Sequence, residues 1–335
     1  MKQVLHTERG KVPIKTTDMN AGNANLARQM AAAGSTVVDS HSRNAGSSAP
    51  TTSAASAVSY AEKDPTFYDV SDGLPSKFIF YPQDITSLSI RPLRIPEAKK
   101  IFQGQTLKSM RIMVEAVSAC LQPGLSAFDL TRGDYYYLLY WLRIQSFKKS
   151  PYTLTAVCTS YDHIEKVVNE ELSRDSLIIE QIVHKVGELN VTSPDFNKVE
   201  EQIQLIRAEY GLDCYPPLMR DIVDIDELDQ KDEQGNTLSD DQGNPLPPSK
   251  DVLWTAKYAS VLSPFKHGRT LQERMAIFDS LDLGPDLLGD LDYLIKLFDH
   301  GVQERASVAC KECGAKMDVS VSINALSFFP AVQRA

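Results

Sequence analysis

Two cysteines near the end of the sequence have the spacing of a metal-binding knuckle. Cys310 and Cys313 are separated by two residues, and Gly314 follows them. A tight turn of this kind points both sulfur atoms at one metal ion, and the glycine allows the left-handed backbone that the turn needs. A closed structural zinc site has four ligands, so this motif requires a second pair from elsewhere in the chain.

The second pair of zinc ligands is predicted to be Cys158 and His163. Cys158 ends a run, residues 152–158, that alternates like a β-strand, and His163 follows it after four intervening residues. This spacing is longer than usual, and a histidine stands in place of the second cysteine. A site of Cys158, His163, Cys310 and Cys313 would join two distant segments, and its zinc ion would be structural.

Other interpretations of these cysteines remain open. A thioredoxin-like redox site also uses two cysteines so spaced, but there the motif opens a helix, whereas β-like alternation follows Cys313. The thiols could also bind no metal, or Cys214 could supply a missing ligand. Cys120 lies on an apolar helical face and is predicted to be a core residue. His184 and His300 are predicted at the surface or at helix caps.

The strongest helical pattern in the chain covers residues 134–147. These residues are apolar on almost every side, which predicts a central buried helix, and Thr131 with Asp134 forms a variant of the capping box at its start. Three adjacent tyrosines, residues 135–137, could stack on bases or sugars. No basic cluster accompanies them, so we expect them to line the core instead.

The remaining elements follow from periodicity and from helix-capping or helix-breaking residues. Helices are predicted over residues 97–121 with a break near Gly104, over 162–172, over 193–210 with Ser193 as N-cap, and after Thr270 and Pro285. Extended segments are predicted over residues 74–82, 84–96 and 218–225, and a β-hairpin is predicted around the knuckle. The fold class is therefore α+β: a mainly helical core with short strands and a zinc-ribbon-like β-hairpin, preceded by an extended N-terminal arm.

The sequence divides into four predicted regions. Residues 1–65 are predicted to form an extended low-complexity arm, and residues 66–160 the first part of the core, with strands, the buried helix and the first half of the knuckle. Residues 161–300 are predicted to form a helical insertion with an acidic loop at 227–250. Residues 301–335 are predicted to contain the second half of the knuckle and the C-terminal tail. The arm alone cannot bury enough apolar surface to offset its ordering entropy. We expect it to lie extended on neighbouring subunits of an assembly.

Composition and motifs exclude several classes of function. The 335 residues carry a net charge of −9 without a clustered basic face, which argues against nucleic-acid binding. No apolar run has the length of a membrane span, and the first residues lack the apolar core of a signal peptide. With an odd count of five cysteines, this leads us to expect a cytoplasmic protein. The sequence lacks a phosphate-binding glycine loop, a nucleophile elbow and a His-Glu-x-x-His motif. We therefore expect that the protein is not an enzyme.

The order of these motifs resembles the T4-type contractile phage baseplate protein family, whose members are associated with the baseplate hub and its assembly. The resemblance covers about a third of the chain, in residues 74–76, 90–97, 129–148, 152–158 and 310–330. The sequence departs from the family pattern at His163, where the first ligand pair would otherwise be two cysteines. Its N-terminal arm is also longer than the family core needs.

The resemblance implies a structural component of the tail baseplate, in its hub or its wedge, without catalytic activity. Such a protein would be made in the host cytoplasm and reside in the virion. It would bind other baseplate or tail proteins, in several copies within a symmetric assembly, and the arm would clamp neighbouring subunits. The alternative is a transient hub-assembly chaperone that is absent from the mature virion.

Overall fold

The computed structural model describes residues 66–107, 109–229, 236–281 and 284–321, and within these ranges it contains nine α-helices and four two-stranded antiparallel sheets. The predicted α+β class is confirmed at this level. The helices are α1 (Ile95–Leu107), α2 (Met110–Ser118), α3 (Arg132–Ser146), α4 (Tyr161–Val168), α5 (Phe196–Tyr210), α6 (Met219–Asp226), α7 (Lys250–Ala259), α8 (Leu271–Asp279) and α9 (Pro285–Leu297). The strands are β1 (Tyr68–Asp69), β2 (Ser89–Ile90), β3 (Tyr152–Val157), β4 (Ile178–Val183), β5 (Val191–Thr192), β6 (Gly301–Val302), β7 (Arg305–Ala309) and β8 (Lys316–Ser320). The predicted arm at 1–65 and the tail beyond residue 321 lie outside the described residues.

Helix α3 occupies the centre of the larger hydrophobic core, as its sequence pattern predicts. It begins where the Thr131 hydroxyl accepts a hydrogen bond from the backbone N–H of Asp134 at 3.4 Å. Its leucines at 138, 139 and 142 are buried, and burial of each such side chain contributes roughly 1.5–3 kcal/mol of transfer free energy. Tyr135 and Tyr137 are also buried, so two of the three adjacent tyrosines line the core.

Two β-hairpins pack beside α3 and against each other. Strands β3 and β4 pair in antiparallel register from Tyr152–Val183 to Val157–Ile178, and their connection contains α4. The buried side chains of this hairpin alternate along each strand and face the larger core. Strands β7 and β8 form the predicted second hairpin, with the knuckle as its turn. The chain therefore brings the ends of β3 and β7 close together.

A second hydrophobic core lies among helices α5, α7, α8 and α9. Each of the last two helices starts as predicted: Thr270 and Glu273 form a reciprocal capping box, and Pro285 is the first residue of α9. Between the cores, the buried Arg274 of α8 pairs with the buried Asp221 of α6. The division into four regions stays a prediction.

The strand predicted over residues 74–82 was wrong. This segment forms a series of turns, and Lys77 and Phe78 have the positive φ angles of 49° and 63°. The Asp134 carboxylate accepts hydrogen bonds from both the backbone N–H and the hydroxyl of Ser76. These contacts to a buried charged group fix a turn despite the high β-propensity of the aromatic residues.

The extended conformation predicted for residues 218–225 was also wrong, because they lie almost entirely in α6. The Asp221 carboxylate accepts a hydrogen bond from the N–H of Leu218 at 3.2 Å, and this caps the helix start. Met219 and Val223 are buried one turn apart. The alternation of apolar and polar residues over so short a run does not distinguish a strand from a helix. Here the run is a helix in which the acidic Asp221 is buried against Arg274.

Other helix boundaries differ from prediction for local reasons. The predicted break near Gly104 lies further on, between α1 and α2. Helix α4 ends at Val168, short of residue 172, and Glu170 turns left-handed with φ 61°. Helix α5 takes Asp195 rather than Ser193 as its N-cap, although it ends as predicted at Gly211, which has φ 69°.

Candidate metal centre

The four predicted ligands come together in space. The side-chain donor atoms of Cys158, His163, Cys310 and Cys313 all lie within 4.8 Å of one another. The sulfur atoms of Cys158 and Cys313 are 3.6 Å apart, and the Cys310 sulfur lies 3.3 Å from Nδ1 of His163. Three of the four residues are buried, and Cys313 is half-buried. The cluster thus joins both hairpins and α4.

Two tight connections position these donors. Cys158 directly follows β3, where its backbone N–H donates to the carbonyl of Leu177 at 2.8 Å. His163 is the third residue of α4.

Cys310 and Cys313 lie in the turn between β7 and β8. Gly314 adopts φ 71° and donates its N–H to the Cys310 carbonyl at 2.8 Å, which closes the turn. A side chain at this backbone conformation would be strained.

Hydrogen bonding to Ser176 selects which nitrogen of the His163 ring carries the proton. The Ser176 hydroxyl lies 2.6 Å from the Ser173 carbonyl, to which it can only donate. Its oxygen therefore accepts from Nε2–H of His163, 2.8 Å away. The proton resides on Nε2, and the lone pair of Nδ1 points towards the sulfur cluster, which is the arrangement that a metal-binding histidine requires.

The thiols experience opposing influences on their ionisation. Burial raises the pKa of Cys158, although a backbone N–H from Ser160 favours its thiolate. The N–H of Ala315 lowers the pKa of Cys313, and the Cys158 and Cys310 side chains act in the same direction. Backbone donors aimed at sulfur stabilise thiolates, which are the form that binds metal.

The donor set fits zinc. A tetrahedral zinc ion with Zn–S bonds of about 2.3 Å places its sulfur ligands roughly 3.8 Å apart, close to the 3.6 Å separation of Cys158 and Cys313. Three thiolates and one imidazole are a common structural set for this ion. Four protein ligands would complete the tetrahedral coordination of such an ion.

The other cysteines lie elsewhere. Cys120 is buried in the larger core, as predicted, and Cys214 is buried in the second core. Burial raises the pKa of each thiol to about 12. Cys214 is not among the four residues whose donor atoms come together, so the structure does not support it as the alternative fourth ligand.

His184 and His300 were predicted at the surface or at helix caps. His184 is exposed, whereas His300 is buried and contacts two helix-capping residues. Nε2 of His300 lies 3.0 Å from the Thr131 hydroxyl, and Nδ1 lies 2.5 Å from the Phe298 carbonyl.

The Tyr81 hydroxyl donates to the Asp134 carboxylate at 2.6 Å. The sequence predicts the capping pair of Thr131 and Asp134. It does not predict that His300 contacts Thr131 or that Tyr81 contacts Asp134, because these residues are distant in the chain and carry no local signal.

Comparison with protein-family models, curated proteins and solved structures gave no match. In the part of the chain that the structure describes, no helix is both long and apolar enough to cross a membrane.

Proposed function

We propose that this chain is a non-catalytic structural protein, pinned by one zinc ion held by Cys158, His163, Cys310 and Cys313. The observation that carries this proposal is the convergence of four donor atoms within 4.8 Å. Cys158 and Cys313 are 155 positions apart in the sequence, so the site closes a very long loop. Zinc supplies a cross-link between the hairpins when it binds, and the ring and backbone donors around it hold the ligands in place.

The β7–β8 hairpin is, in this proposal, one half of a zinc-ribbon-like unit, and the end of β3 with α4 is the other half. The two halves are also joined by apolar packing, since Ala306, Val308 and Val183 share the larger core. Zinc therefore reinforces a contact that the hydrophobic effect already favours. We expect its removal to loosen this end of the molecule and leave the remote helices folded.

The proposed setting is the baseplate of a contractile phage tail, in its hub or its wedge. The support is the resemblance of several motifs, together with their positions: residues 132–146 form the central helix, and residues 158 and 310–313 carry the candidate ligands. In this setting the protein resides in the virion, joins other baseplate or tail proteins in several copies, and contacts neighbouring subunits through its arm. A structural role agrees with a metal site that has no open coordination position.

The zinc part of the proposal is tested on the purified recombinant protein by measuring bound metals and thermal unfolding together. We expect about one zinc ion per chain, because four protein ligands complete a single tetrahedral site. Cys310→Ser should lose the metal and unfold at a lower temperature. Cys214→Ser is the matched control, since it also alters a buried thiol but should keep the zinc. A wild-type protein that folds fully without zinc would contradict the proposal.

The baseplate part is tested by quantitative mass spectrometry of purified phage particles. Presence of the chain in a fixed ratio to known tail proteins would support a structural component. Presence in infected cells but absence from finished particles would instead identify the hub-assembly chaperone. Either result is independent of the zinc measurement, so the two parts of the proposal can fail separately.

A further inference from the structure

Helix α4 presents an apolar face to solvent. Tyr161 and Val168 are 76% and 72% exposed, and Ile164 between them is also exposed. Their spacing of three and four residues places them on one side of the helix, while His163 points from another side into the metal cluster. Since the buried side of α4 already contacts the protein, this exposed side has no packing role within the described chain.

The end of the neighbouring hairpin adds to this apolar surface. Val157 and Ile178 form the last cross-strand pair of β3 and β4, and both are exposed, Val157 by 61%. The bond from the Cys158 N–H to the Leu177 carbonyl lies next to this pair and closes the segment that contains α4. Five large apolar side chains are thus exposed on one β3–α4–β4 unit. Concentrations of exposed apolar residues commonly mark interaction sites.

The charged side chains of the chain segment that contains α4 are mainly acidic. Residues 161–180 contain six acidic and two basic side chains, and all eight are exposed. The acids are Asp162, Glu165, Glu170, Glu171, Asp175 and Glu180, and the bases are Lys166 and Arg174. We call these charged side chains, with their excess of acids, the acidic rim. Such an excess favours a partner of the opposite sign and disfavours a second copy of the same surface.

We propose that the exposed face of α4, with the adjoining Val157–Ile178 pair, docks an amphipathic helix of a partner protein whose apolar stripe is flanked by lysine or arginine. The apolar side chains supply the contact area and the acidic rim sets the choice of partner. A second copy of this chain would bring acidic rim against acidic rim, in a molecule with a net charge of −9. The inference concerns the free protein and does not depend on the baseplate assignment.

The test uses the full-length protein as purified and two fluorescent helical peptides of about 20 residues, long enough to form an isolated helix. Both peptides carry the same leucine stripe, flanked by lysines in one and by glutamates in the other. We expect the lysine peptide to bind at least about tenfold more tightly by fluorescence anisotropy, with binding that weakens as salt is added. Equal binding of both peptides, or no binding of either, would overturn the proposal.

Two surface variants locate the binding site. The double variant Tyr161→Ser with Val168→Ser should weaken binding of the lysine peptide by about tenfold or more, as for loss of central apolar anchors. Ile95→Ser, which changes a side chain 74% exposed at the start of α1, is the matched control and should bind normally. Unchanged binding by the double variant would refute this location.

Sedimentation velocity distinguishes a partner protein from self-association. We expect wild-type protein and the double variant to sediment alike as monomers in these conditions. A wild-type dimer that the Tyr161→Ser and Val168→Ser changes dissociate would show that a second copy covers this face, and would overturn the basic-partner proposal. Circular dichroism of each variant confirms that the exposed substitutions leave the fold intact.

Discussion

At the residue scale, the candidate metal centre includes a hydroxyl group, that of Ser176, which is not itself a predicted ligand. Ser176 donates to the Ser173 carbonyl and so must accept from Nε2–H of His163. This pair of hydrogen bonds selects the tautomer whose Nδ1 faces the Cys310 sulfur. Groups behind metal ligands commonly fix the orientation and basicity of a histidine in this way.

Ser176→Ala should therefore weaken zinc binding by about ten- to hundredfold, because the imidazole loses its fixed tautomer and orientation. Competition with a chromophoric chelator measures this affinity directly. Ser307→Ala, at an exposed position of β7, is the control and should bind zinc as tightly as wild type. An unchanged affinity in Ser176→Ala would show that the ring is oriented by packing alone.

At the element scale, the approach of α3 to β6 depends on the absence of a side chain. A Cβ atom on Gly133 would lie 2.4 Å from Cδ2 and 2.6 Å from the carbonyl oxygen of His300. A Cβ atom on Gly301, which has φ 107°, would lie 2.7 Å from the Gly133 Cα. The central helix and this strand can therefore meet only through two glycines, and the contact holds His300 against Thr131.

Gly133→Ala should destabilise the protein by about 1–3 kcal/mol. The added methyl group would push the imidazole ring and the backbone carbonyl of His300 away from α3 in a packed contact. Urea unfolding followed by circular dichroism measures the free energy of unfolding. Gly289→Ala in the exposed part of α9 is the control, since a Cβ there meets nothing within 4 Å. It should stabilise by roughly 0.5–1 kcal/mol through helix propensity. Equal stability of both variants would contradict this account of the contact.

At the scale of the whole molecule, the candidate zinc ligands belong to only one of the two hydrophobic cores. The larger core contains Cys158 and Cys310 and surrounds α3, whereas the second core of α5, α7, α8 and α9 contains none of the four ligands. Zinc binding should therefore stabilise the first core, whereas the second core should keep its own stability when zinc is removed.

Hydrogen exchange detected by mass spectrometry should reveal this difference. Removing zinc with a chelator should speed exchange of residues 158–177 and 305–320, because the connection to α4 and the β7–β8 hairpin lose their shared anchor. Residues 250–281 should exchange at an unchanged rate. Cys310→Ser without a chelator should give the same pattern, which excludes a direct effect of the chelator. Uniform acceleration along the chain would instead indicate a single cooperative unit.

The sequence by itself determined the features that local chemistry specifies. The Cys310–Cys313 turn with Gly314, the caps at Thr131 and Thr270, and the proline start of α9 could all be predicted, because each depends on residues a few positions apart. The pairing of Cys158 and His163 with the knuckle was inferred from the ligand count that zinc requires, and the structure places their donor atoms together.

Only the tertiary structure decided the features whose determinants are distant in sequence. Residues 74–82 form turns because Ser76 bonds to Asp134, 58 positions away, and α6 forms where Asp221 meets Arg274, 53 positions away. Strand β4 and the role of Ser176 were likewise missed, since pairing and tautomer choice depend on neighbours that only folding supplies. Hydrogen bonds to buried charged groups outweigh local propensity, and their partners cannot be found from spacing alone.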